Sequence, residues 1–212
     1  MTHRPARLPA RESLLAAGRA IVVADGFSAL TVRRTAAEAG ANLGTFVYHF
    51  KTRDAFVTEL IEAWYAPAFS RVTLAVDGRA RPLDRLRRAI LQLIDFGVEQ
   101  DVFLGRLLMA ATAGEAPARR FLGSIAARHP RLLIKLIRAA QADGTLVREH
   151  PLQILMFIVA SVGLPRLLST AWQGPPLFGK ALSASLSRVA RDRDRIVQRL
   201  DWALQGLSPG AS

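Results

Sequence analysis

Apolar residues recur three and four positions apart along almost the whole of this chain, while runs that alternate apolar with polar are nearly absent. The first spacing lines hydrophobic side chains along one face of a helix; the second is what a half-buried strand needs. An all-α fold of about nine helices is therefore expected, without a sheet. Half of the 212 residues are hydrophobic, enough to bury a substantial core in one large domain, or in a small domain joined to a larger one. The chain has no cysteine, which removes disulfides and thiolate sites for zinc or redox chemistry. The start MTHRPARLPARESLL lacks the continuous apolar segment of a signal peptide, and a cytoplasmic address follows by default. The most apolar run, PLQILMFIVASVGLP, is shorter than the roughly 20 residues that span a bilayer. It reads as a buried helix or an oligomer interface, and no membrane partner is expected.

The net charge is +12, which points to an anionic partner. The excess is spread out, however: three positive charges over residues 1–60, five over 61–150 and four over 151–212. Net charge alone thus does not locate a site for nucleic acid, and an arginine-rich composition would give the same balance.

Local signals place the helices. The first runs from about Ala10 to Ala24, with Leu14, Gly18, Ile21 and Val22 as its stripe and Gly26 as a left-handed stop. Thr31 caps the second, in which Val32, Ala36 and Ala39 share a face, and Gly40 closes it. Asn42 caps a third helix of about two turns, with Phe46, Val47 and Phe50 inward. Thr52 caps the fourth, whose core stripe is Phe56, Leu60 and Trp64. Leu83 to Gly97 mark a fifth and Val102 to Ala113 a sixth; another starts near Pro117 and is kinked or split by Pro130. A long apolar helix follows from Leu152 to Trp172, broken by QGPPLFGKAL, and a last one runs from Ser185 to Leu204.

The second and third helices, joined by a tight turn at Gly40, form a helix-turn-helix, a motif whose second helix lies in the DNA major groove. With Phe46, Val47 and Phe50 inward, Asn42, Leu43, Thr45, Tyr48 and His49 are left to face outward. Gly44 lets the backbone approach a surface closely. A phenol and an imidazole beside Lys51 and Arg53 are suited to phosphates, helped by the free amides that open the fourth helix. The competing assignment packs Tyr48 on the first helix and leaves His49 a solvated helix end.

In the stretch LTVRRTAAEAGANLGTFVYHFKTRDAF the chain resembles the tetracycline-repressor (TetR) family of bacterial transcription regulators. It has that family's Thr-Val start, Ala-Ala-x-Ala-Gly before the turn, Gly-Thr in the third helix, Tyr-His-Phe, and a following helix that begins at Thr-Arg-Asp. The resemblance covers about Arg11 to Glu62. It implies a DNA-binding domain over residues 1–56 and a ligand-binding and dimerisation domain over 57–212. Thr31 and Val32 would then lie near the DNA backbone, Asn42 and Thr45 in the groove, and Tyr48, His49 and Arg53 at phosphates. Asn42 stands for a frequent serine and can either cap the helix or read adenine. Leu43 departs from the usual small or polar residue and can offer an apolar contact to a thymine methyl. The implied partners are a palindromic operator in double-stranded DNA, a second copy of the chain, and a small-molecule inducer, anionic or apolar.

The larger domain is less legible. The two final helices carry more apolar surface than one helix needs, and Leu155, Val159, Leu186, Val189, Val197, Leu200 and Leu204 are the candidates for a dimer interface, or else for the core. Phe96, Phe103, Met109, Phe121, Met156 and Phe157 are the candidate lining of a ligand cavity, although such residues at helical spacing are more often plain packing. Arg79, Arg81, Arg85, Arg87 and Arg88 form a solvated face or attract an anionic inducer. Pro67 either kinks the fourth helix, giving a hinge, or ends it. The four histidines are scattered and no catalytic, phosphate-loop or metal spacing occurs, so neither catalysis, a cofactor nor a metal is expected. The rival is a basic helical protein that coats DNA or anionic membrane without sequence choice.

Overall fold

The computed structural model describes residues 9–171 and 179–210. Among them the chain forms twelve α-helices, one 3-10 turn and no strand. The helices are α1 (Ala10–Asp25), α2 (Val32–Glu38), α3 (Leu43–Phe50), α4 (Arg53–Val76), α5 (Pro82–Glu99), α6 (Asp101–Thr112), α7 (Ala116–Ile125), α8 (His129–Ala142), α9 (Pro151–Val162), α10 (Leu164–Ala171), α11 (Lys180–Arg191) and α12 (Arg193–Gly206). The 3-10 turn Phe27–Ala29 joins α1 to α2. Most of the expected break over QGPPLFGKAL falls on residues 172–178, outside the described residues.

The helix expected to be kinked or split at Pro130 is split, and two others expected to be continuous are divided, each for a visible reason. The α7–α8 break at Ala126–Arg128 precedes Pro130, which has no N–H to offer the Ala126 carbonyl. Pro165, likewise, cannot bond the Ser161 carbonyl, and α9 ends at Val162; the Arg199 guanidinium donates to that carbonyl instead, at 3.1 Å. Asp192 has extended backbone and its carboxylate accepts from the amides of Asp194 and Arg195, so it starts α12 as a cap rather than continuing α11. Pro67 behaves differently. It lies inside α4, which runs on through it.

The residues form two compact units: one holds the chain up to Tyr65 together with Val102–Gly123, the other Ala66–Asp101 together with Ser124 onward. In the first unit α1 packs on α2 and α3, and the Phe46, Phe50 and Phe56 rings form a cluster with centroids 4.9–5.5 Å apart. Gly18 is what lets Phe56 approach α1: a Cβ there would lie 2.5 Å from the Phe56 ring. Trp64 stacks on Phe103 at 4.7 Å, Phe103 meets Phe27 edge-on, and Phe121 meets Tyr65 in the same way. In the second unit, α5, α8, α9 and α12 share a core built on Leu86, Ile90, Leu136, Ile137, Ile154, Ile158 and Leu200. The ion pairs Arg87–Asp201 and Arg193–Asp95 join α5 to α12 across the outside of this core.

Several candidate residues of the larger domain are placed otherwise than expected. Phe103 and Phe121 are buried in the first unit and Phe96 in the second, while Met109, Met156 and Phe157 are exposed. The six therefore do not line one cavity, because Phe103 and Phe121 belong to the aromatic cluster around Trp64 and Tyr65. Of the interface candidates, Leu155, Leu200 and Leu204 are buried in the chain's own core where α9 packs on α12. Val197 is half-buried, and Val159, Leu186 and Val189 are exposed. The arginine cluster is divided: Arg81 pairs with Asp84 and Arg87 with Asp201, and Arg85 donates to the Val76 carbonyl. Arg79 and Arg88 line an open groove of about 720 Å³ with Leu74 and Leu91.

Candidate nucleic-acid interface

The helix-turn-helix is built from local bonds that the sequence supplies. The Thr31 hydroxyl accepts from the Arg34 amide at 3.2 Å and starts α2. At its end the Gly40 amide donates to the Ala37 carbonyl and the Ala41 amide to the Ala36 carbonyl, the paired closure that a left-handed residue makes possible. Gly40 has φ of 62°, which a glycine adopts without steric cost. Two residues on, the Asn42 side-chain oxygen accepts from both the amide and the hydroxyl of Thr45, at 2.8 and 3.0 Å. Asn42 is thus the cap of α3, and its oxygen is engaged. A Cβ on Gly44 would sit 3.2 Å from that oxygen, so the glycine serves the cap as well as the approach of the backbone.

On α3 the buried residues are Phe46 and Phe50. Val47, expected inward, is 51 % exposed. One turn of helix separates Phe46 from Phe50, and with the Phe56 ring they fill the space beneath α3; Val47 lies to the side, one turn from Leu43, which is 44 % exposed. Tyr48 is 81 % exposed and therefore does not pack on α1. Its ring stands edge-to-face against His49, with centroids 5.1 Å apart. Thr45, His49 and Val32 are half-buried, while Thr31, Asn42, Gly44 and Lys51 are exposed. The structure brings Asn42, Leu43, Thr45, Tyr48 and His49 together on one short helix, as expected, and adds Val47 to them.

Lys51 is the one described non-glycine residue with positive φ, 62°. The Thr52 amide donates to the Phe50 carbonyl at 2.7 Å, closing a three-residue turn of a strained kind. This turn frees Thr52 to cap α4, its hydroxyl accepting from the Ala55 amide.

Arg53 departs from the role expected of it. Its guanidinium donates to the Leu30 carbonyl at 2.6 Å and the Phe27 carbonyl at 2.8 Å, and it forms a two-bond fork with the Glu115 carboxylate, both bonds 2.9 Å. Four of its five N–H groups are thereby taken within the protein. The Glu115 hydrogen bond raises the Arg53 pKa above its ordinary value, against the opposing effect of burial. Arg53 thus ties the 3-10 turn, the start of α4 and the start of α7 together. Arg106 adds a second tie, donating to the Ala24 carbonyl at the end of α1. No local motif announces these ties, since 62 residues separate Arg53 from Glu115.

A capped two-turn helix that presents exposed side chains beside a phenol, an imidazole and a lysine defines a helix-turn-helix DNA-binding transcriptional regulator. Over residues 14–60 the chain matches the family described as bacterial regulatory proteins, tetR family. It is 23% identical over 206 residues to the HTH-type transcriptional repressor DhaR of Mycobacterium sp. (strain GP1), covering 96% of this chain and 95% of that protein. It is 25% identical over 171 residues to the HTH-type transcriptional repressor NemR of Escherichia coli (strain K12), covering 80% and 83%. Among solved structures, a bacterial regulatory protein in the tetR family from Rhodococcus RHA1 has the same fold, with a TM-score of 0.68 at 15% identity over 95% of this chain and 98% of that one. No helix among the described residues is long and apolar enough to cross a membrane.

Proposed function

We propose that this regulator is a repressor that binds a palindromic operator as a homodimer and leaves it when a small molecule binds the larger domain. Residues 1–56 are assigned to DNA and residues 57–212 to effector and partner. The repressor assignment is supported by the relatives named as transcriptional repressors. Release by an effector is supported by one observation above all: Arg106 of α6 and Glu115, in the turn just before α7, hold the reading head directly, through Ala24 and Arg53. A change in the position of these two helices changes the anchorage of α2 and α3. Thr31, Val32, Tyr48, His49 and Lys51 serve the phosphates and α3 the base edges. Arg53 holds the head instead of touching phosphate. Dimerisation is supported by exposed apolar residues on α9 and α11, among them Met156, Phe157, Val159, Leu186 and Val189, an accumulation that a monomer rarely leaves in water. Related by two-fold symmetry, two copies present α3 to major grooves one or more turns apart, about 34 Å each.

Selection of bound fragments from random duplex DNA, followed by challenge of the complex with carboxylates, acyl thioesters and apolar cations, tests this reading. A recovered inverted repeat, released by one compound class, is the expected result. Recovery of a single unrepeated site, or of no preferred site, contradicts it.

A further inference from the structure

We infer that this regulator reads its operator chiefly through thymine methyl groups, with Leu43 and Val47 as the residues that select thymine at two positions of each half-site. The inference rests on the DNA-reading role of α3 proposed above and specifies its chemistry.

The first ground is what the polar side chains of α3 are already doing. An amide reads adenine by pairing its oxygen and its N–H₂ with the N6 and N7 of the base. The Asn42 oxygen already accepts two hydrogen bonds from Thr45, and the Thr45 hydroxyl hydrogen is used in one of them. Turning the Asn42 amide toward a base would leave the Thr45 amide and hydroxyl without their acceptor and α3 without its cap. Gly44 has no side chain, and Phe46 and Phe50 are buried. No arginine, lysine, glutamine, aspartate or glutamate occurs between Asn42 and Phe50, so the usual partners of guanine and cytosine are absent from the helix.

The second ground is what remains exposed. Leu43 and Val47 are 44 % and 51 % exposed and stand one helical turn apart, on neighbouring positions of one face. The C5-methyl of thymine is the one apolar group that an unmodified base pair presents in the major groove. Removing a methyl from water against an aliphatic side chain is worth about a fourfold change in affinity. Two such contacts per half-site, doubled by symmetry, give a large share of the discrimination between operator and other DNA, with Tyr48 and His49 holding the backbone in register.

The test uses the full chain and the duplex recovered by selection. Each thymine of a half-site is replaced singly by deoxyuridine, which removes the methyl and leaves the hydrogen-bonding edge intact. The expected result is a loss of about three- to fivefold at two positions, one erased by Leu43→Ala and the other by Val47→Ala. Both side chains are exposed, so the variants keep the thermal midpoint of the parent, which a melting curve verifies. Deoxyuridine substitutions that all stay within about twofold of the parent duplex overturn the inference while leaving the regulator's function intact. So do penalties that persist unchanged in both variants. Failure to recover any preferred sequence overturns the function proposed above and this inference together.

Discussion

Replacing Arg53 with alanine separates two roles that an arginine beside a recognition helix can have. In the structure the side chain makes two bonds to backbone carbonyls and a two-bond fork to Glu115. Its side chain is 31 % exposed and that of Glu115 16 %. Taking about 1 kcal/mol for each carbonyl bond and about 1–2 kcal/mol for the partly screened fork gives a loss of about 3–4 kcal/mol. For a chain of this length each kcal/mol moves the thermal midpoint by roughly 2–4 °C, so a fall of roughly 6–16 °C is expected by circular dichroism. Affinity for DNA, measured well below that midpoint, should fall with little change in its salt dependence, since no phosphate contact is lost. Arg53→Lys keeps the charge but not the fork and should recover only part of the stability. A midpoint within about 1 °C of the parent, with the log–log salt slope reduced by about one per subunit and restored by lysine, would refute the reasoning and return Arg53 to the phosphate backbone.

Gly18→Ala places a methyl 2.5 Å from the Phe56 ring and should cost about 1–3 kcal/mol in a denaturant titration, because the ring has buried neighbours on its far side. Burial, together with the Arg128 charge, lowers the His129 pKa from 6.5 to about 4. The unfolded chain therefore takes up the proton first as pH falls. The stability is fully present above about pH 6.5 and is lost toward pH 4, by on the order of 3 kcal/mol, and His129→Gln should flatten that part of the pH–stability profile. Pro67→Ala restores the N–H that can bond the Ala63 carbonyl, in a helix whose two parts belong to different compact units. It should alter the effector response by about 0.5–2 kcal/mol and leave effector-free operator affinity nearly unchanged, whereas equal shifts in both would exclude a hinge. Phe157→Glu puts a charge on the exposed apolar face of α9 and should convert a dimer to a monomer in sedimentation at micromolar concentration; a monomeric parent chain would contradict the dimer.

The DNA-binding end of the molecule was legible because its signals are local. Thr31, Gly40, Asn42 and Thr52 act within three or four residues of themselves, so the start and stop of each short helix can be read from residue type alone. Val47 escaped because a two-turn helix with four large apolar residues, Leu43, Phe46, Val47 and Phe50, leaves open which two are inward; the Phe56 ring, brought by another helix, decides it. Arg53 escaped for the opposite reason, since its partner Glu115 is distant in sequence and lies in no motif. The larger domain offered periodicity without an address. Phe103 and Phe121 have the same helical spacing whether they line a cavity or pack on Trp64 and Tyr65, and the amphipathic pattern of α9 and α12 cannot tell a partner helix in the same chain from one in a second copy.

The most direct measurement compares binding of the full-length regulator to its selected inverted repeat and to a scrambled duplex of equal length, near 0.15 M salt. A preference of about a thousandfold or more for the repeat, with its occupancy lowered when Tyr48 and Thr45 are both changed to alanine, is the predicted result. Affinities for the two duplexes within about tenfold of each other, falling steeply and in parallel with added salt, would mark a basic protein that binds phosphate without reading sequence.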